Sequence, residues 1–292
     1  MNQQPGASDK PSRPIKWRKL VNLLFYYSLL TLICLICVMP VLWTYIIAVK
    51  TDERTGIDGA MTPDQTPDHP ESLLPENFFN FAVFRYVLFE TDFFTFFLNS
   101  LIVAAGTTLI GVTIAVFAGY AYSRFKFPGK TPTLMAILIT QMFPGILLLI
   151  PLYLIWSELH LLNELHGLIL IYLSLAVPYC TWQMKGYFDS IPIDLEEAAM
   201  VDGTTRFGAF IRVVLPTVLP GIAVTALFNF ITSWNEYMIA MTFMSSPDKM
   251  TLPVGIDIYF TRTKTYYTYL AAYGLLVSIP VVIVFIWLQK YL

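Results

Sequence analysis

Two groups of polar residues stand out in this chain. Asp194, Glu197 and Asp202 fall within a loop at 190–212, while Asn229, Thr232, Ser233, Asn235 and Glu236 fall within a long apolar stretch. Asn229, Thr232, Ser233 and Glu236 are spaced i, i+3, i+4 and i+7, so a helix presents them on one face. A polar group in hydrocarbon is costly, and an ionisable one normally faces a cavity or a partner. The spacing therefore predicts a polar lining for a route through a membrane, with Trp234 and Asn235 beside it. Two alternatives stay open for Glu236: the outer boundary of the membrane, or a structural bond to another helix. Trp234 and Tyr237 could stack on the ring of a solute or serve as interfacial anchors.

Enzymatic chemistry finds less support. Gly129-Lys130-Thr131 has the ending of a phosphate-binding loop, but the first glycine of that loop would fall at residue 124, which is Arg124. Nucleotide must be handled by another chain. His160 and His166 flank Glu164, yet the zinc-protease spacing of two His four apart with Glu between is missing. Cys34 and Cys37 form C-x-x-C inside an apolar run, where a redox motif would have neither water nor a partner, and packing is the simpler role. No Ser, His and Asp set presents itself. Neither a metal nor a cofactor is expected.

The elements that must carry these residues are membrane helices. The chain of 292 residues is 56% hydrophobic and 13% charged, with mean hydropathy +0.62, whereas an ordinary soluble domain is about 25% charged. A helix needs roughly 20 apolar residues to cross a bilayer. Six stretches meet or approach that length: residues 20–49, 93–122, 134–155, 167–184, 213–243 and 269–288. The expected fold class is an all-α polytopic membrane protein. Lys10, Arg13, Lys16, Arg18 and Lys19 precede the first stretch, but its apolar run is too long for a secretory signal and no small-residue cleavage site follows. The chain then divides into a tail at 1–19, a first span at 20–49, an outer segment at 50–92 and a core of five spans at 93–292.

Orientation follows from Lys and Arg in the loops. The N-terminal cations, then Arg124, Lys126 and Lys130, then Lys185, Arg206 and Arg212 mark three segments as cytoplasmic. The segment 50–92 is rich in Asp, Glu and Pro, and the loop at 157–166 has no Lys or Arg, so both face outward. Lys249, Arg262 and Lys264 weaken the pattern without reversing it. Both termini are expected in the cytoplasm.

Several local signals refine this outline. Residues 1–14 read as a disordered tail. The outer segment is broken by Pro63, Pro67, Pro70 and Pro75, and could be a solvated loop or a docking surface for an external partner. Its Phe-dense second half, 78–97, suits a membrane interface. Gly111, Ala115 and Gly119 recur every four residues and would let two helix backbones approach closely. Pro144, Gly145 and Pro151 kink the third span, for packing or to line a route.

The loop reads as a short helix, a glycine turn and a second helix returning to the membrane. Asp194 and Glu197 have capping-box spacing, and acids there suit the helix dipole. Leu195, Ala198, Ala199 and Asp202 share one face. Gly203 can stop the helix in a left-handed conformation, and Thr204 or Thr205 could cap the next. The product is a compact helical knob that could enter a groove or rest on lipid headgroups.

The run Glu197-Ala-Ala-Met-Val-Asp-Gly-Thr, followed by Ile211, Leu215-Pro216 and Pro220, resembles the EAA loop of ABC importer permeases. Pro151-Leu-Tyr, Gly167-Leu-Ile-Leu, Ile191-Pro192, Trp234-Asn-Glu-Tyr and Thr251-Leu-Pro-Val-Gly extend the resemblance from about residue 84 onward. They are similar to the carbohydrate-type, binding-protein-dependent permeases, the group that includes the maltose/maltodextrin permeases. Thr204 stands where members usually have Ala. Such permeases often continue past the last span with a Gly-rich tail that reaches the ATPases, and the sequence stops at Leu292, leaving open a missing tail or an absent contact.

The resemblance implies a type I ABC importer permease in the cell (inner) membrane that translocates a sugar or oligosaccharide, maltose or maltodextrin by analogy. It implies a second homologous permease, two cytoplasmic ATPase subunits and an extracytoplasmic sugar-binding protein as partners, and no nucleic acid. Glu197, Ala198, Ala199, Asp202, Gly203 and Pro216 would couple to an ATPase, with Glu197 paired to a cationic residue there. Asn229, Ser233, Trp234, Asn235 and Glu236 would line the substrate route. A polyol or sugar-phosphate substrate is the alternative, with a stand-alone secondary transporter or membrane enzyme behind it.

Overall fold

The computed structural model describes residues 17–49, 78–259 and 267–291. The polar tail at 1–14, residues 50–77 of the segment expected outside at 50–92, Arg262, Lys264 and Leu292, all read above from the sequence, lie outside the described residues.

Among the described residues every regular element is helical. Four helices are long and apolar enough to cross a membrane: α1 (Trp17–Val49), α3 (Phe93–Arg124), α6 (Leu165–Asp189) and α13 (Tyr267–Leu288), with the short α2 (Ala82–Phe89) preceding α3. Two bent pairs raise the number to 6 if each is one span: α4 (Lys130–Thr140) with α5 (Gly145–Glu158), and Arg206–Thr217 with a helix at Leu219–Trp234. All six expected stretches therefore carry helix.

The first pair bends by 94°. Pro144 lacks an N–H and biases Phe143 away from helical conformation, so α4 stops short of it and α5 begins at Gly145. The expected kink at Pro144 is a complete break. Pro151 stays inside α5, as Pro178 does inside α6 and Pro280 inside α13.

The second pair bends by 71°. After α7 (Asp194–Val201), its first arm is α8 (Arg206–Ala209), a π-helical turn (Phe210–Val214) and α9 (Leu215–Thr217), and its second is α10 (Leu219–Trp234). Pro216 and Pro220 flank the bend at Val218. The fifth stretch, read from sequence as continuous to residue 243, ends at Trp234 and resumes as α11 (Met238–Phe243), followed by the short α12 (Leu252–Gly255).

The core is α3 packed along α6, with α10 against both. The small-residue stripe on α3 is what allows it. A Cβ on Gly119 would sit 2.8 Å from Met184 Cβ and 2.9 Å from the Lys185 backbone nitrogen, and one on Gly111 would sit 2.8 Å from Asn229 Nδ2. Ala115 between them is fully buried. At the end away from α7, Phe93, Phe96, Trp234, Leu252 and Tyr273 form one apolar cluster; at the α7 end Tyr120, Met184, Phe188 and Phe210 form another. The Phe-dense segment is thus divided: Phe93 and Phe96 are buried, while Phe79, Phe89 and Phe94 are exposed. By contrast α1 packs chiefly on α13 and leaves nearly all of its side chains exposed.

Candidate functional site

The knob forms where the sequence places it, but not by the expected cap. Asp194 is the first residue of α7 and caps nothing; the first N–H groups are met by Pro192 and Ile193 carbonyls at 2.9–3.4 Å. A capping box at Asp194 and Glu197 is therefore absent, because the chain already turns at Pro192. Asp194, Glu196 and Glu197 still put three acids at the positive end of the helix dipole. At the other end Gly203 adopts φ +92, which favours glycine, and Thr204 Oγ1 donates to the Ala199 carbonyl at 2.6 Å. Thr205 Oγ1 accepts from Gly208 N at 3.1 Å and so caps α8.

Glu197, Ala198, Asp202, Gly203 and Pro216 are exposed and Ala199 is half-buried. Leu195, Val201 and Phe207 are also exposed, with Val201 at 86%. The knob thus offers an apolar and acidic surface that the rest of the described chain leaves uncovered.

Sequence reasoning missed the residue that anchors it. Glu196 is 3% exposed, turned into the protein, while its neighbour Glu197 is exposed. Its carboxylate takes Arg124 Nε on one oxygen and the Tyr120 hydroxyl, at 2.9 Å, on the other. Arg124 Nη2 also donates to the Ile191 carbonyl at 2.8 Å. Arg124 had counted only as a loop cation. The available signal was an Arg–acid pairing across the loop, with nothing local to mark the partner. Beside it, Asp189 accepts from Ser123 Oγ at 2.7 Å and pairs with Lys185. Lys130, at the end of the apparent phosphate-loop motif, donates to the Phe125 carbonyl at 3.2 Å and so caps α3.

Of Asn229, Thr232, Ser233 and Glu236, expected on one helix face, Glu236 lies outside the helix that carries the other three. Asn229 is 1% exposed and donates from Nδ2 to the Thr107 carbonyl at 3.3 Å, toward α3. Ser233 is buried beside it. Trp234 is 1% exposed, stacks on Phe230 and donates to the Val277 carbonyl at 3.2 Å, so its ring is committed to the core. Glu236 lies beyond the end of α10: it accepts from Ile239 N at 2.8 Å and Ala240 N at 3.0 Å and takes the Tyr172 hydroxyl at 2.6 Å. Of the alternatives for Glu236, the structural bond to another helix is present. Thr232 and Asn235 remain exposed. The helix ends at Trp234, which is why the i to i+7 spacing fails to carry Glu236 onto the face.

The loops at the end away from α7 are tied together by polar bonds. Asn163, at φ +58, holds Ser245 N and Ser246 N through Oδ1 at 3.1 and 3.0 Å, and Glu164 pairs with Lys249 at 3.5 Å. At that end of α3, Asn99 Nδ2 donates to the Asp248 and Met250 carbonyls, each at 2.9 Å, and Ser100 Oγ accepts from Leu252 N at 2.7 Å.

A bundle with up to six spans, two of them broken, and a polar helical knob on one end has the architecture of a multi-span transport permease. Residues 111–292 match the family described as binding-protein-dependent transport system inner membrane component. The chain belongs to that family, whose members are non-catalytic permease subunits of ABC importers. It is 30% identical over 273 residues to the maltodextrin transport system permease protein MdxG of Bacillus subtilis (strain 168), spanning 93% of each chain. It is 33% identical over 277 residues to the galactooligosaccharides transport system permease protein GanQ of the same organism, spanning 94% of each. Its fold is similar to that of a chain in the crystal structure of a bacterial ABC transporter involved in the import of the acidic polysaccharide alginate. That match has a TM-score of 0.72 and 22% identity, covering 97% of this chain and 99% of that one. The fold is accordingly that of a type I ABC importer permease.

Proposed function

We propose that this permease moves a sugar or oligosaccharide, delivered by an extracytoplasmic binding protein, through a pathway shared with a second, homologous permease. Two ATPase subunits dock on the cytoplasmic side, where both termini also lie. The observation that carries this reading is the knob: α7 exposes Leu195, Ala198, Val201 and Glu197 while Glu196 fixes it from beneath.

In this mechanism ATP binding closes the ATPase pair, and α7 moves with the cleft that holds it. The pathway alternates between outward and inward access because ATP and the loaded binding protein stabilise different states. Glu197 pairs with a cationic ATPase residue, and Gly203 sets the angle at which the knob projects. Thr232 and Asn235 are the fifth-span polar residues left open to a solute.

The relatives' names span maltodextrins and galactooligosaccharides, which favours an oligosaccharide and makes a maltodextrin the first to try; a polyol or sugar phosphate is the alternative. Binding of the cognate binding protein to a panel of these sugars, followed by ATP-dependent uptake into vesicles containing the full complex, tests the substrate. No uptake of any oligosaccharide that the binding protein holds would defeat the reading. Glu197→Lys and Gly203→Pro should each uncouple ATP hydrolysis from uptake while the chain still inserts; normal uptake from both would remove α7 from the coupling role.

A further inference from the structure

α3 is gripped at both ends by side chains, and the two grips hold different machinery. At the α7 end, Arg124 binds the Glu196 carboxylate inside α7 and the Ile191 carbonyl in the linker before it, with Tyr120 one turn back completing the contact. The Arg124 and Glu196 side chains are 8% and 4% exposed. The main packing of α7 is on α8 and the π-helical turn, so Glu196 is the side chain that reaches directly to α3. At the far end Asn99 and Ser100 hold three backbone groups of the segment 248–252. Between the grips, α3 runs about 37 Å at 1.5 Å per residue, without a proline. Of the other spans that lead from the knob, α6 carries Pro178 within it, one backbone hydrogen bond short, and a 71° bend separates α8 and α9 from α10.

We infer that α3 is the push-rod of the permease, with Glu196–Arg124 as its joint to the ATPase-facing knob and Asn99 as its joint to the outer loop at 244–252. The inference rests on the proposed docking of α7 on an ATPase. Motion delivered to a buried ion pair is transmitted, because separating the charges leaves each unpaired in a dry site. An unbroken helix then carries the displacement to Asn99, whose two bonds fix the loop that Asn163 and Ser100 also hold. Glu196, Arg124 and Asn99 are positioning residues, since each acts through the element it holds.

The test uses the full transporter complex in vesicles, with native cysteines replaced and two probes added. Ala198→Cys reports α7 contact with the ATPase by crosslinking, and Ser245→Cys reports the outer loop by its reaction with a membrane-impermeant maleimide. ATP should change the Ser245→Cys labelling rate at least threefold in the parent. Glu196→Gln, which preserves size and removes the charge, should abolish that ATP dependence while the Ala198→Cys crosslink still forms. Asn99→Ala should abolish it from the other end, and decides the matter if Glu196→Gln does not assemble. Retained ATP dependence in either variant overturns the push-rod. Absence of the crosslink in the parent instead overturns the docking of α7.

Discussion

The hydroxyl of Tyr172 on α6 donates to Glu236 Oε2 at 2.6 Å, and the same carboxylate receives the first free N–H groups of α11. One side chain thus starts a helix and ties it to a membrane span. Glu236→Ala should lower stability by about 2 kcal/mol, from the lost cap and from a tyrosine hydroxyl left without its acceptor. Tyr172→Phe, which removes only the hydroxyl, should cost about 1 kcal/mol. Thermal unfolding of the purified complex checks the order; equal costs would mean that the cap contributes nothing.

The glycine stripe on α3 is not uniform. A methyl at Gly119 meets Met184 Cβ and the Lys185 backbone, which cannot yield without moving α6, whereas at Gly111 the nearest atom is the end of the Asn229 side chain. Gly119→Ala should therefore cost about 1–3 kcal/mol through overpacking, and Gly111→Ala distinctly less. Melting temperatures of the two variants side by side decide it.

Removing one half of a buried ion pair is worse than removing both. Arg124→Ala should destabilise the chain by about 3–5 kcal/mol, because Glu196 is left charged and unpaired. The double replacement Arg124→Met with Glu196→Leu should recover most of that loss. Failure of the double variant to melt above the single one would show that the Ile191 bond, rather than the charge pair, holds the site.

Gly203 gives a ranked prediction. Its φ of +92 suits glycine, is tolerated by asparagine and strains other residues by roughly 1–2 kcal/mol. With nothing within 4 Å of an added Cβ, the strain is purely of the backbone. ATP-dependent uptake should thus fall in the order Gly203→Asn, Gly203→Ala, Gly203→Val, and a reversed order would show that side-chain bulk at the tip of the knob matters more.

The spans were legible because hydropathy needs no partner to be read, and Gly203 was legible because a turn is local. What sequence could not give were the pairings across distance. Arg124 and Glu196 stand 72 residues apart and Tyr172 and Glu236 stand 64 apart. Helical spacing placed Asn229, Thr232, Ser233 and Glu236 on one face by assuming that the helix continued, and the end of α10 at Trp234 broke that assumption. The same limit explains the capping box, where a turn at Pro192 made Asp194 the first helical residue instead of the cap.

Among the residues of α1 whose burial is described, only Ala48 and Val49 are buried, against a run of exposed Leu, Ile, Val and aromatic side chains from 21 to 43. Within the chain, such a helix is asked to be greasy and long. Exchanges among Leu, Ile, Val and Phe along that run change almost no contact within the chain, so they should pass as near-neutral. α3 is the opposite case, its close approach to α6 fixed at Gly119, where an added methyl meets Met184 Cβ and the Lys185 backbone. Within this chain, then, α1 is specified by its hydropathy and length, whereas α3 is specified residue by residue.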